Sequence, residues 1–201
     1  VLMGTQGGKP ALFLRFRLVN YSNQPQRLDF AANAPAGRQF EAKPPGMQAV
    51  IVPLKGAKGH FMSVVADQPF AAKANALAWQ FDLPAGGHED LYLVLPGHCP
   101  SGPLALKPNQ VRDAFYEALL GQHEIWSEFF GQGVRFTIPE PMINDIYKAT
   151  LAKVMVCVDG KEARGGAVHY EGFWAFCTLY TCQVLLENGH FERARDYLQY
   201  F

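Results

Sequence analysis

Leu12-Phe13-Leu14-Arg15-Phe16-Arg17-Leu18-Val19 alternates apolar and basic side chains through its second half. That is the two-residue period of a strand with one buried face. The residues that follow, Asn20-Tyr21-Ser22-Asn23-Gln24-Pro25, are turn chemistry, because Asn and Ser bond to nearby backbone and Pro fixes φ. Arg27-Leu28-Asp29-Phe30 reads as the return strand. Working outward, residues 48–52, 60–65, 76–83 and 90–95 are further short strands, the last two joined by the turn Pro84-Ala85-Gly86-Gly87-His88. Several short strands punctuated by Gly, Pro and Asn predict an antiparallel β-sandwich over residues 1–105.

Near residue 105 the period changes. Val111, Phe115, Ala118, Leu119, Trp126, Phe129 and Phe130 recur at threes and fours, the stripe of an amphipathic helix. This predicts a linker helix within 106–135, opened by Pro108-Asn109 and closed by Gly131-Gln132-Gly133. Thr137 and Glu140 have the spacing of a capping box, so a second helix is expected to start there and to run through Ile143, Ile146, Tyr147, Leu151, Val154 and Met155. A polar, glycine-bearing loop over 159–166 leads to a third helix at about 173–187, stopped by Asn188-Gly189. A fourth begins near Phe191, with Ala194, Tyr197, Leu198 and Phe201 on one side. The third helix is apolar around most of its circumference, and such a helix needs neighbours on several sides. Further helices, or an oligomer partner, are therefore expected to cover the apolar surface of 173–201. The chain reads as an excerpt of something longer, and its compartment is left unassigned.

Composition narrows the function. Eighteen basic residues balance eighteen acidic ones, so no field holds a polyanion, and nucleic acid is disfavoured as a partner. Half the residues are hydrophobic (49%), which excludes intrinsic disorder. The longest charge-free apolar stretch is 172–186, shorter than the roughly 20 residues of a membrane span, and reads as a core helix. Cys99, Cys157, Cys177 and Cys182 lack metal-ligand or redox spacing and read as buried thiols, so neither a metal nor a cofactor is expected. Asn20-Tyr21-Ser22 is a glycosylation triplet, a pattern common by chance. The stretch Gly4-Thr5-Gln6-Gly7-Gly8-Lys9-Pro10 fails as a phosphate loop. Its first glycine is one residue too close, and Pro10 stands where the hydroxyl residue belongs.

The order of these elements resembles the bacterial six-hairpin glycosidases. The resemblance rests on Phe81-Asp82-Leu83-Pro84-Ala85-Gly86-Gly87, Leu91-Tyr92-Leu93-Val94-Leu95-Pro96 and Trp126. It is sharpest from residue 126 on, in Phe136-Thr137-Ile138-Pro139-Glu140-Pro141-Met142-Ile143-Asn144, Tyr170-Glu171-Gly172-Phe173-Trp174 and Leu185-Leu186-Glu187-Asn188-Gly189-His190-Phe191-Glu192-Arg193-Ala194. In that family an N-terminal β-sandwich precedes a toroid of twelve helices. The resemblance implies a mixed β and α multidomain chain: a sandwich over 1–105, a linker helix over 106–135, and the first helices of an incomplete α/α toroid over 136–201. A full toroid would need roughly 200 residues beyond the linker. Most of the family's acid and base loops would then lie in later hairpins.

The one constellation with sugar-like chemistry is His169-Tyr170-Glu171-Gly172-Phe173-Trp174. Pyranose rings present C–H faces that pack on flat aromatics, and hydroxyls that donate to a carboxylate. The resemblance places this loop on the central cavity, with Tyr170, Glu171, Trp174 and His169 against a carbohydrate substrate. The competing reading makes Phe173 and Trp174 core residues, Glu171 a partner of the helix dipole and Tyr170 a rim residue. Glycoside hydrolysis needs two carboxyl groups. Glu171 is the candidate for one, and no second acid lies near it in sequence. Where similar sequences place an acid shortly after the aromatic pair, this chain has Phe176-Cys177. Three expectations result: part of a glycoside hydrolase, inactive alone; a non-catalytic module binding glycan or a protein partner; or a toroid enzyme of another class, such as a lyase or cyclase.

Overall fold

The computed structural model describes residues 2–6, 9–36, 38–43, 46–53, 62–73, 75–96, 106–135, 137–165 and 173–200. The chain divides into two compact units, Val1–His123 and Glu124–Phe201.

Among the described residues, the first unit holds nine strands: β1 (Leu2–Gln6), β2 (Lys9–Val19), β3 (Gln26–Asn33), β4 (Arg38–Lys43), β5 (Gln48–Pro53), β6 (Met62–Ala66), β7 (Ala71–Lys73), β8 (Ala76–Leu83) and β9 (His88–Pro96). They form a six-stranded sheet, in the order β1-β2-β9-β6-β5-β4, and a three-stranded sheet, β3-β8-β7. Every pairing is antiparallel. One core joins the two sheets: Phe40, Ile51, Val64, Leu91 and Leu93 from the larger meet Leu77, Trp79, Phe81 and Leu83 from the smaller. Phe16 lies 5.0 Å from Phe30 across it.

The larger sheet is buried on its other face as well. Leu106 and the start of α1 (Val111–Gln132) bring Val111, Ala114 and Phe115 onto Phe13, Val65, Tyr92 and Val94. Burial on both faces explains why Leu91-Tyr92-Leu93-Val94-Leu95 is apolar without alternation. Past the helix the outer face turns polar: Arg15 and Arg17 both bond to Asp90, at 2.8 and 2.9 Å.

One expected hairpin is corrected: β3 does not return along β2. The two strands joined by the short turn at 84–87 are present as β8 and β9, and at both turns the chain passes from one sheet to the other. The two crossings run side by side. The Asn20 amide donates to the Gly87 carbonyl, and the Gly86 amide donates to the Ser22 carbonyl. Asn20, only 5% exposed, braces the pair. Its Nδ2 donates to the carbonyls of Gln24, Leu83 and Pro84, and its Oδ1 accepts from the Ser22 amide and hydroxyl.

In the second unit, the end of α1 meets α2 (Pro141–Val156), α3 (Ala175–Glu187) and α4 (Phe191–Tyr200). The expected capping box is absent. Glu140 is the N-cap, without a side-chain bond, and Pro141 occupies the first helical position, where its missing N–H costs nothing. Asn144 instead pins the approach, bonding to both the amide and the carbonyl of Ile138. The expected loop holds a small hairpin, β10 (Val158–Asp159) with β11 (Glu162–Ala163), turning at Gly160 with φ +62°. α3 ends as expected at Asn188-Gly189. Gly189 has φ +81°, and the His190 and Gly189 amides donate back to the carbonyls of Leu185 and Leu186. The core here is small: Phe129, Leu151, Cys182, Leu185, Ala194 and Tyr197. Of the thiols, Cys182 is buried while Cys157 and Cys177 are only half-buried, which corrects the expectation of buried thiols. Cys99 lies outside the described residues.

Candidate functional site

The site anticipated at the head of the third helix can be followed only in part, because His169, Tyr170 and Glu171 lie outside the described residues. On its near side, Arg164 forms an isolated antiparallel bridge with Phe173. The chain then enters α3 with Trp174 as N-cap, in extended backbone, its carbonyl accepting from the amides of Cys177 and Thr178. The Trp174 side chain makes no cap bond to the helix.

Phe173 and Trp174 are not core residues. They are 43% and 51% exposed, and Phe176, Leu179 and Tyr180 are exposed with them. The rings touch edge to face: Trp174 on Phe176 at 5.8 Å, and Phe176 on Tyr180 at 6.5 Å. Trp174, Phe176, Cys177 and Gly165 line a cavity of about 250 Å³. That is just below the roughly 300–1,000 Å³ of small-molecule sites, so it suits one ring rather than a chain of them.

α3 is built inside out. The residues it buries are Thr178, Thr181, Cys182 and Leu185, mostly small or polar, while Phe176, Leu179, Tyr180 and Leu186 face outward. Small residues let α4 come close: the Cys182 thiol reaches the Ala194 carbonyl at 3.6 Å. Thr178 Oγ1 is buried without a hydrogen-bond partner among the described residues.

The acid that sequence reasoning passed over is Glu162, on β11. Tyr200 donates to its Oε1 at 2.7 Å, and the Arg164 guanidinium lies 3.5 Å from its Oε2. The bond to Glu162 pushes the Tyr200 phenol up. A carboxylate held this way is a clamp between hairpin and helix, and its only sequence signal was a charge inside a polar loop. Among the described residues, no carboxylate lines the cavity, and no three His, Cys, Asp or Glu side chains gather to hold a metal ion. The lining offers flat apolar surface and a thiol, so its described part can bind but lacks a carboxylic acid.

No helix among the described residues is long and apolar enough to cross a membrane. No protein-family model matches the chain, and no curated protein matches it.

Proposed function

We propose that the chain is part of a carbohydrate-active enzyme built like the six-hairpin glycosidases: its two sheets a β-sandwich, α1 a linker, and α2 to α4 the first helices of an α/α toroid. In this reading the aromatic cavity at the head of α3 holds one sugar ring. Trp174 and Phe176 pack on its C–H face, and Tyr170, Glu171 and His169 supply polar contacts. The observation that carries the proposal is the exposed aromatic cluster itself. A helix start that leaves Phe173, Trp174, Phe176 and Tyr180 in solvent has given up their burial, about 1.5–3 kcal/mol for a fully buried large side chain. That arrangement persists most readily where the rings have a use. Further helices of the ring, or a partner, would cover the rest of the outward face.

Tryptophan fluorescence tests the sugar site. Trp79 is buried and Trp126 half-buried, whereas Trp174 stands half in solvent. Monosaccharides should shield Trp174 from acrylamide quenching, and Trp174→Phe should abolish that shielding. No shielding at any accessible sugar concentration refutes the sugar site. The second reading, a non-catalytic module binding glycan or a partner, is favoured by the lack of a lining carboxylate among the described residues. Neither reading expects turnover of aryl glycosides by this chain alone, and a well-behaved monomer that hydrolyses them would overturn the view that it is an inactive part of a larger enzyme.

A further inference from the structure

The first unit contains a larger cavity that the sugar site does not involve. It measures about 610 Å³, within the roughly 300–1,000 Å³ of small-molecule sites, and lies between the two sheets. Its origin is a mismatch of strand number: three strands cannot cover the inner face of six. Phe40, Leu77 and Leu93 form a buried floor, while Leu14, Phe16 and Leu95 are left only half-buried around it. The volume is a cleft open to solvent on one side, with apolar walls reaching down to the buried floor. Water would fill it poorly, since the walls offer almost no hydrogen-bond partners.

Polarity enters at one side only. Asn33 closes β3, Arg38 opens β4, and the Arg38 amide donates to the Pro35 carbonyl, holding the connection in a turn. Asn33 and Pro35 are exposed and Arg38 half-buried, so the volume opens to solvent beside a guanidinium. A guanidinium carries five donors in a fork that matches a carboxylate, so it can take one in addition to its other partners.

We propose that this cavity binds an amphipathic carboxylate with a linear apolar chain, a fatty acid, with its tail between the sheets and its carboxylate on Arg38 and Asn33. The test uses the whole protein and two probes of equal chain length, dodecanoic acid and dodecan-1-ol, each displacing fluorescent parinaric acid. Dodecanoate should bind at least tenfold more tightly than the alcohol, the smallest factor expected of a charge-assisted hydrogen bond worth about 1.5 kcal/mol. Arg38→Gln should remove that preference and leave dodecanol binding within about twofold. Ala32→Phe fills part of the volume with a ring and should weaken binding of both probes at least tenfold. If that variant does not fold, Leu95→Trp at the rim does the same. Failure of the wild-type protein to bind dodecanoate overturns the proposal. So does equal weakening of both probes by Arg38→Gln, or probe binding that Ala32→Phe leaves unweakened, which would place it on the outward face of α3.

Discussion

Replacing Asn20 isolates the brace between the two sheet crossings. The side chain is 5% exposed and spends all of its hydrogen-bonding capacity on backbone and on Ser22. Asn20→Ala strips a donor from the Leu83 carbonyl, 3.3 Å away across a buried bond. An unsatisfied buried group costs about 1–3 kcal/mol. The carbonyls of Gln24 and Pro84 are only part-buried, so water recovers most of their loss. The total should be about 2–4 kcal/mol. Asn20→Asp is the sharper variant. It keeps an oxygen for Ser22 but turns a carboxylate toward three carbonyl oxygens, so at pH 7 it should cost at least as much as alanine. Protonating the new carboxyl restores one donor. Its pKa is therefore raised in the folded state, and the variant should regain stability as pH falls, against the usual acid trend. Urea unfolding followed by Trp79, in a Trp126→Phe, Trp174→Phe background, reads the first unit alone. An alanine cost below 0.5 kcal/mol, on the order of a surface substitution, would refute the brace, as would an aspartate variant as stable as wild type at pH 7. The same bonds occupy the nitrogen a glycan would need. Folded protein from a glycosylating host should therefore carry no sugar at Asn20 by intact mass.

Gly189→Ala should destabilise the helical unit by about 1–2 kcal/mol or more. The position has φ +81°, and a Cβ there would lie 3.3 Å from the Val134 amide nitrogen; thermal unfolding by circular dichroism measures it. Arg17 and Arg15 hold the Asp90 carboxyl well below the usual carboxylate range, so its contribution is full above the unfolded pKa of about 3.9 and fades as pH falls below that. Asp90→Asn should cost about 1–2 kcal/mol at pH 7 and a smaller part of that near pH 2, with half-exposed Arg17 limiting the value. His190 stacks on Phe129 at 4.2 Å with its Nε2 buried, and burial together with Arg193 pushes its pKa down. The helical unit should therefore lose stability as pH falls below about 6.5, and His190→Phe should flatten that part of the profile.

The strands legible in the sequence were those with one face turned inward, buried or, in β3, half-buried at alternate positions. The six anticipated stretches appear as β2, β3, β5, β6, β8 and β9. β4 and β7 escaped because β4 buries Phe40 and no other described residue, and β7 buries none. β1 was passed over as part of a glycine-bearing stretch that failed as a phosphate loop, yet residues 2–6 pair with residues 9–13. Partition into two sheets was not legible, since Asn, Ser, Pro and Gly write a hairpin and a sheet crossing in the same letters. What decides between them is Asn20 reaching Leu83 and Pro84, more than sixty residues away. The stacking of His190 on Phe129 is equally remote in sequence. At the aromatic site, residue types left Trp174 open between a sugar platform and core, and its exposure is set by the fold rather than by side-chain identity.

The two faces of α3 carry the last prediction. Its sequence is apolar nearly all round, and the folded chain satisfies only the face built of Thr178, Thr181, Cys182 and Leu185. Phe176, Leu179, Tyr180 and Leu186 remain 43–66% exposed, and Met142, Ile146, Phe191 and Leu198 add to the apolar surface of the same unit. Monomeric proteins rarely leave contiguous apolar patches beyond a few hundred Å² uncovered. The protein should therefore bind anilinonaphthalene sulfonate and self-associate with rising concentration in sedimentation. Leu179→Glu with Phe176→Lys should reduce both without unfolding the chain, because neither side chain belongs to the buried core. The sheet cavity could also take up the dye, so the diagnostic quantity is the part lost with the double variant, compared with the part lost on Ala32→Phe. A wild-type protein that stays monomeric at high concentration, and whose dye signal falls only when the sheet cavity is filled, would show that these side chains shield one another well enough to need no cover.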